Sequence, residues 1–325
     1  METLDRTELC FPRLLNASCR KPIRPVFEVM LTYILLSTIS VVTAALNLLV
    51  IISISHFKQL HTPTNLLLLS LAVSDFLVGL LMQFQIMLID GCWFLGDLMC
   101  TLYQYMAYMV ISASIGTMVL ISMDRYVAIC HPLVYPRKVT RKRAKVCVLL
   151  CWMCAALFQS LVLKDILEKP GRYNSCFGEC IIFINYITGI ADLIFTFIVP
   201  ITVIVVLYLR VFAVAVSHAR AIRSQVSQQQ SRVTMKKSEL KAARTLGIVV
   251  IVFLICLCPY YCTALTGQDN LLNASSAAFV ICLTYFNSCA NPVIYALFYP
   301  WFRKSIRLIV TLKILQPDSS NTQVL

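Results

Sequence analysis

Seven mostly apolar stretches run along the chain, at 26–54, 64–89, 98–123, 146–164, 182–209, 245–266 and 275–298. A helix crossing a ~30 Å hydrocarbon core needs about 20 such residues, and in lipid only a helix or a closed barrel satisfies its own backbone. Only 13% of residues are charged and 59% are hydrophobic, where a soluble domain carries roughly 25% charged residues. This composition excludes an ordinary cytosolic enzyme, a disordered tail and a small disulfide scaffold. No repeat of fixed period argues for a transporter built from repeats, and no alternating ten-residue segments argue for a barrel. The sequence predicts an all-α membrane protein, a seven-transmembrane helix bundle spanning 26–299. A tail precedes it at 1–25, a long inner loop lies at about 210–244, and a short amphipathic helix 8 with the remaining tail occupies 300–325.

The net charge of +13 suggests nucleic acid until its placement is read. With the N-terminus outside, 20 of the 28 Lys and Arg fall on inner segments: Lys58, Arg125, the Arg137–Lys145 group, the run from Arg210 to Arg244, and Arg303, Lys304, Arg307 and Lys313. That asymmetry is the positive-inside bias and sets the orientation. A basic inner face suits anionic membrane lipid and an acidic or polar intracellular partner. No nucleic-acid partner is expected. Asn16-Ala17-Ser18 on the outer tail is a glycosylation acceptor, and no cleaved signal peptide is expected. Of fifteen cysteines, six (Cys10, Cys19, Cys92, Cys100, Cys176 and Cys180) face the oxidising side, where disulfides persist. Spacing alone leaves their connectivity open, and Cys92 is expected to remain a free thiol.

Polar groups inside the stretches mark function, because lipid tolerates them only when they are paired or wet. Asp75, Ser114, Asn287, Ser288 and Asn291 form a set of oxygens and amides suited to a small hard cation such as sodium, or to a hydrogen-bonded water network. Asp192 stands alone in the fifth stretch, eight residues before Pro200 and so ~12 Å toward the outside at 1.5 Å per residue. Thr196 and Pro200 follow it at i+4 and i+8, on one predicted helical face. Apart from Lys164, at the outermost edge of the fourth stretch, no Lys, Arg or His occupies the outer half of any stretch, so an external cation is the expected partner; a protonated, structural Asp192 is the alternative. At the inner end of the third stretch Asp124-Arg125-Tyr126 stands where Glu239, at the base of the sixth, could pair with Arg125.

These landmarks together resemble a rhodopsin-like (class A) G-protein-coupled receptor over about residues 26–310. The marks are Asn47; Leu71, Ala72 and Asp75; Asp124-Arg125-Tyr126; Trp152; Pro200 with Tyr208; Phe253 with Pro259; and Asn291-Pro292-Val293-Ile294-Tyr295. The run Asn287 through Phe302, with its Tyr299-Pro300-Trp301-Phe302 ending, is similar to the fingerprint of trace amine-associated receptors, as are Cys176-x-x-x-Cys180 and Asn16-Ala17-Ser18-Cys19. The resemblance implies disulfides Cys100–Cys176 and Cys19–Cys180. It also implies a small mono- or polyamine agonist, a heterotrimeric G protein of the stimulatory or olfactory type, and a plasma-membrane receptor of olfactory sensory cilia. Where the family usually carries an Asp on the third helix this chain has Ala107, which matches a divergent branch and moves the ammonium to Asp192. Ala107, Tyr108, Ile111, Thr196, Phe197, Tyr260, Tyr261 and Tyr285 would surround it, the aromatic faces adding about 0.5–2 kcal/mol of cation–π attraction. Ile115, Pro200, Phe253, Leu257 and Pro259 would form the activation core, with Leu257 replacing the familiar Trp. Tyr208 and Tyr295 would close around the gap left by Arg125.

Other classes fit less well. The seventh stretch has no Lys for a retinal Schiff base, and His56, His61, His131 and His218 all lie at loops or the inner edge, so no catalytic constellation forms and no enzyme is expected. A proton-coupled carrier using Asp75 and Asp192 is the alternative from another class, and a receptor for a neutral or peptide ligand is the rival within this one. No resident cofactor is expected beyond the allosteric sodium.

Overall fold

The computed structural model describes residues 7–22, 25–224, 247–259, 261 and 274–324. Helix α1 (Val26–His56) leads through a short 3-10 turn (Lys58–Leu60) to α2 (Pro63–Asp90), then α3 (Gly96–Cys130), a short α4 (Tyr135–Lys138), α5 (Arg141–Val162) and the short α6 (Lys164–Glu168). The fifth stretch is α7 (Tyr186–Asp192), one π-helical segment (Leu193–Ile198) and α8 (Val199–Ser224). After them come α9 (Gly247–Pro259), α10 (Ala274–Phe298) and α11 (Pro300–Val310). Four single helices and the α7–α8 run are each long and apolar enough to cross a membrane, α9 is a shorter apolar helix, and α10 has 25 residues. Together they form the seven-transmembrane bundle.

Local chemistry sets the boundaries. Thr62 precedes Pro63, and its side chain accepts from Asn65 N–H, closing the first turn of α2; Thr140 does the same for Arg143 at α5. Gly91 ends α2 with φ +86°, a conformation that costs an L side chain ~1–2 kcal/mol. α1 and α2 approach closely at Gly79: a Cβ there would lie 2.9 Å from the backbone nitrogen of Ala44, and Ser40 donates to the Gly79 carbonyl at 2.6 Å. Trp152 of α5 donates to Ser70 of α2, which bonds Thr117 of α3 at 3.1 Å, so three helices share one polar joint.

The fifth stretch departs from the expected regular helix. Pro200 has no N–H to return to the Thr196 carbonyl. Val199 N–H instead reaches five residues back to Ile194, so the turn takes in one extra residue. The extra residue rotates the outer segment relative to Pro200, and the single face proposed for Asp192, Thr196 and Pro200 is corrected: the first two share a face without the proline.

The outer cap corrects the disulfide expectation. The bonds are Cys10–Cys92, Cys19–Cys176 and Cys100–Cys180, so Cys100–Cys176 and Cys19–Cys180 do not form and Cys92 is not free. Register is the reason. Cys19 N–H donates to the Phe177 carbonyl at 2.9 Å and Phe177 N–H to Ala17 at 2.7 Å, which sets Cys19 beside Cys176. Cys180, four residues further, then meets Cys100 in the first turns of α3. The N-tail hairpin (Thr7–Leu9 paired with Arg20–Pro22) is further held by Lys21 to Asp90 at 3.0 Å. Asn16 is exposed on this hairpin's loop.

On the inner side α11 buries Trp301 and Phe302 against the bundle, with Ile306 and Leu308 packed on the same core. The remaining tail folds back on the first inner loop: His56 bonds Ser319 at 3.0 Å, Lys58 bonds Asn321 at 3.2 Å, and Val324 is fully buried.

Candidate ligand cavity and switch

A cavity of about 840 Å³ opens in the outer half of the bundle, with walls from α2, α3, α5, α7 and its π segment, α9 and α10. Among the described residues its lining contains a single charged group, Asp192, and no cation. Gln159 of α5, wholly buried, donates from Nε2 to Asp192 Oδ1 at 2.8 Å and to Ser112 Oγ of α3 at 2.8 Å. The Thr196 hydroxyl also stands beside the carboxylate, and among the described residues both of its side-chain partners, Gln159 and Thr196, are neutral. Thr196 donates its hydroxyl to the Asp192 carbonyl at 2.6 Å, which fastens the side chain's own turn. Asp192 is therefore oriented by neutral groups and faces the cavity without a counter-charge among the described residues, in surroundings where an unpaired carboxylate costs several kcal/mol.

Most of the residues singled out in the sequence meet here. Ala107, Tyr108, Ile111, Thr196, Tyr261 and Tyr285 line the same cavity as Asp192. Phe197 does not line it; it stacks on Tyr261 from behind, with ring centroids 4.1 Å apart. Tyr260 lies outside the described residues. Sequence reasoning missed Gln159 and Ser112, although a Gln in the middle of an otherwise apolar membrane helix is itself a signal. It also missed a neutral cluster on another wall, where Gln85 Oε1 accepts from the hydroxyls of Tyr103 and, at 3.4 Å, Tyr285.

Beneath the cavity lies a pocket of about 20 Å³ lined by Ser114, Asn287 and Ser288, beside the buried Asp75. Ile111, Leu257, Thr284 and Tyr285 line both spaces and form the partition between them. Asn291 donates to Asp75 Oδ2 at 2.8 Å, and Asn47 donates to the Ser288 carbonyl at 3.0 Å. Asp75 Oδ1, Asn287 Oδ1 and Asn291 Oδ1 are buried acceptors without a partner among the described residues. Asn287 lines the small space itself, and Asp75 and Asn291 are neighbours of the Ser288 that also lines it; such a set of oxygens beside a space of about one water molecule fits a small hard cation or an ordered water. Ile115, Phe253 and Leu257 belong to the buried core, while Pro200 and Pro259 are half-buried.

At the inner end of α3, Arg125 pairs with Asp124 and also reaches Thr64. Tyr135 of α4 donates to Asp124 Oδ1 at 2.9 Å; burial, and then the charge of Asp124, push its phenol above the ordinary value, so it remains a donor. Tyr126 packs edge-on against His131. Tyr208 and Tyr295 have buried hydroxyls with no partner among the described residues. The pairing of Glu239 with Arg125 lies outside the described residues.

Comparison with known proteins adds the family. The model described as "7 transmembrane receptor (rhodopsin family)" matches residues 46–295. The chain is 40% identical to trace amine-associated receptor 13c of Danio rerio, over 98% of its own length and 96% of the relative's. It is 36% identical to trace amine-associated receptor 4 of Mus musculus, covering 98% and 95% of the two chains. With trace amine-associated receptor 6 of Homo sapiens it shares 37% identity over 96% and 94%.

Proposed function

Because the chain belongs to the rhodopsin family of seven-transmembrane receptors and, within it, to the trace amine-associated receptors, we propose that it senses small amines with Asp192 as counter-ion. In this reading it activates a stimulatory or olfactory-type G protein and raises cAMP. It is a multi-pass membrane receptor and not an enzyme; the plasma membrane of olfactory cilia is the proposed site of action, with a glycan on Asn16. The observation that carries the reading is the lone carboxylate of the cavity, held by the neutral Gln159 and without a counter-charge among the described residues. An ammonium ion supplies the missing charge, and Tyr108, Tyr261 and Tyr285 offer it aromatic faces.

The signalling step follows from shared walls. Leu257 touches both the ligand and the space beside Asp75, so a ligand that packs better against one position of α9 shifts the population toward it. The outer part of that helix turns about Pro259, Phe253 repacks against Ile115 and Pro200, and Arg125 leaves Asp124 for the opened inner cavity. Tyr208 and Tyr295 then share the hydrogen bonds they now lack. In the resting state Asp75, Ser114, Asn287, Ser288 and Asn291 would hold a sodium ion, whose charge favours the collapsed pocket.

The test is cAMP in cells displaying the receptor, across primary amines and the alcohols that differ only in lacking the charge. An amine is expected to act at concentrations at least about tenfold below its alcohol, the scale of one charged hydrogen bond. Replacing bath sodium with potassium is expected to raise the basal signal. Equal potency of amine and alcohol would refute the counter-ion; an unchanged basal signal would refute the sodium site.

A further inference from the structure

The cavity is far larger than a short monoamine, and its two polar clusters sit apart. Asp192 is bound to α5 through Gln159 and to α3 through Ser112. The neutral cluster joins α2, α3 and α10 through Gln85, Tyr103 and Tyr285. Tyr103 and Ser112 lie nine residues apart on α3, a rise of about 13 Å. All of these side chains line one continuous space.

The chemistry of the second cluster is defined by its donors. Both tyrosine hydroxyls donate to Gln85 Oε1, which leaves the amide NH₂ as the uncommitted polar group of this cavity-lining residue. It has no hydrogen-bond partner among the described residues. A half-buried NH₂ group without a partner wants an acceptor. It gives nothing to a second ammonium, and among the described residues no carboxylate lines this part of the cavity.

Resting on the amine reading, we propose that the receptor selects elongated amines with one charge. The ammonium binds Asp192, and a neutral hydrogen-bond acceptor at the far end (an amide carbonyl, an ether or a hydroxyl) binds Gln85. Gln85 is then the specificity-determining residue against diamines, whose second charge would be desolvated without a counter-ion.

The experiment compares octylamine, N-acetyloctamethylenediamine and octamethylenediamine on the full receptor, by cAMP at matched surface level. On the wild type the acetamide is expected to be about tenfold more potent than octylamine, and the diamine the weakest. Gln85→Leu is expected to erase the advantage of the acetamide, read as the ratio of its potency to that of octylamine on the same variant falling from about ten to one or below. Gln85→Glu supplies a second carboxylate and is expected to move the diamine from weakest to strongest, by at least about tenfold. If the wild type ranks the three alike, or Gln85→Glu leaves the diamine weakest, the proposal is wrong even though octylamine acts. If octylamine does not act on the wild type, the amine reading itself fails and this proposal with it.

Discussion

Asp192→Asn is expected to raise the concentration of amine needed for half-maximal response by at least about a hundredfold, with surface level unchanged. The substitution keeps volume and lets Gln159 donate to the remaining carbonyl oxygen at the place where it now meets Oδ1. Only the charge is removed. Breaking a desolvated ion pair by deleting one partner costs about 3–5 kcal/mol, because the other charge stays buried alone. Each 1.4 kcal/mol is a factor of ten. Asp192→Glu keeps the charge but displaces it by one methylene from the Gln159 donor, so a smaller loss is expected. Thr196→Val removes the hydroxyl that bonds the Asp192 backbone and stands beside its carboxylate but keeps the charge, so a loss smaller than that of Asp192→Asn is expected. A response of Asp192→Asn within threefold of wild type would make Asp192 a structural residue.

The second large effect concerns the outer cap. Cys100→Ser and Cys180→Ser are expected to give the same loss of surface receptor and thermal stability, and the double variant no more than either single one. The bond closes 80 residues of chain, for which the entropy released to the unfolded ensemble is about 4–5 kcal/mol. Cys19 and Cys176 form a second matched pair and Cys10 and Cys92 a third. Combining Cys100→Ser with Cys176→Ser breaks two bonds and is expected to be worse than either alone. If that cross combination were instead no worse than its single members, the pairing Cys100–Cys176 would be restored.

The contrast between the helices and the cap shows what the sequence could carry. Seven apolar stretches and the ordered marks from Asn47 to Tyr295 fix the bundle, because hydrocarbon thickness and backbone satisfaction leave one solution per stretch. Asp192 and its aromatic neighbours could be grouped at one depth by counting residues. Cysteine pairing could not, since it depends on how the loop bearing Phe177 aligns with Ala17 and Cys19, a register with no local code. The π turn at Leu193–Ile198 was accessible in principle from Pro200 and its missing N–H, but only as a disturbance of unknown length. Gln159 and Gln85 were visible as amides in apolar helices, yet which carboxylate or phenol each would meet depends on helix packing. The inner tail is a similar case: nothing in Ser319, Asn321 or Val324 foretells a seat on the first inner loop.

The claim on which the rest depends is that an amine nitrogen sits on Asp192, and a structure of the receptor with a bound primary amine tests it most directly. The nitrogen is expected within about 3 Å of Asp192 Oδ2, with Gln159 still on Oδ1. A nitrogen held over tyrosine faces beside Ala107, with Asp192 bonded only to protein, would contradict it.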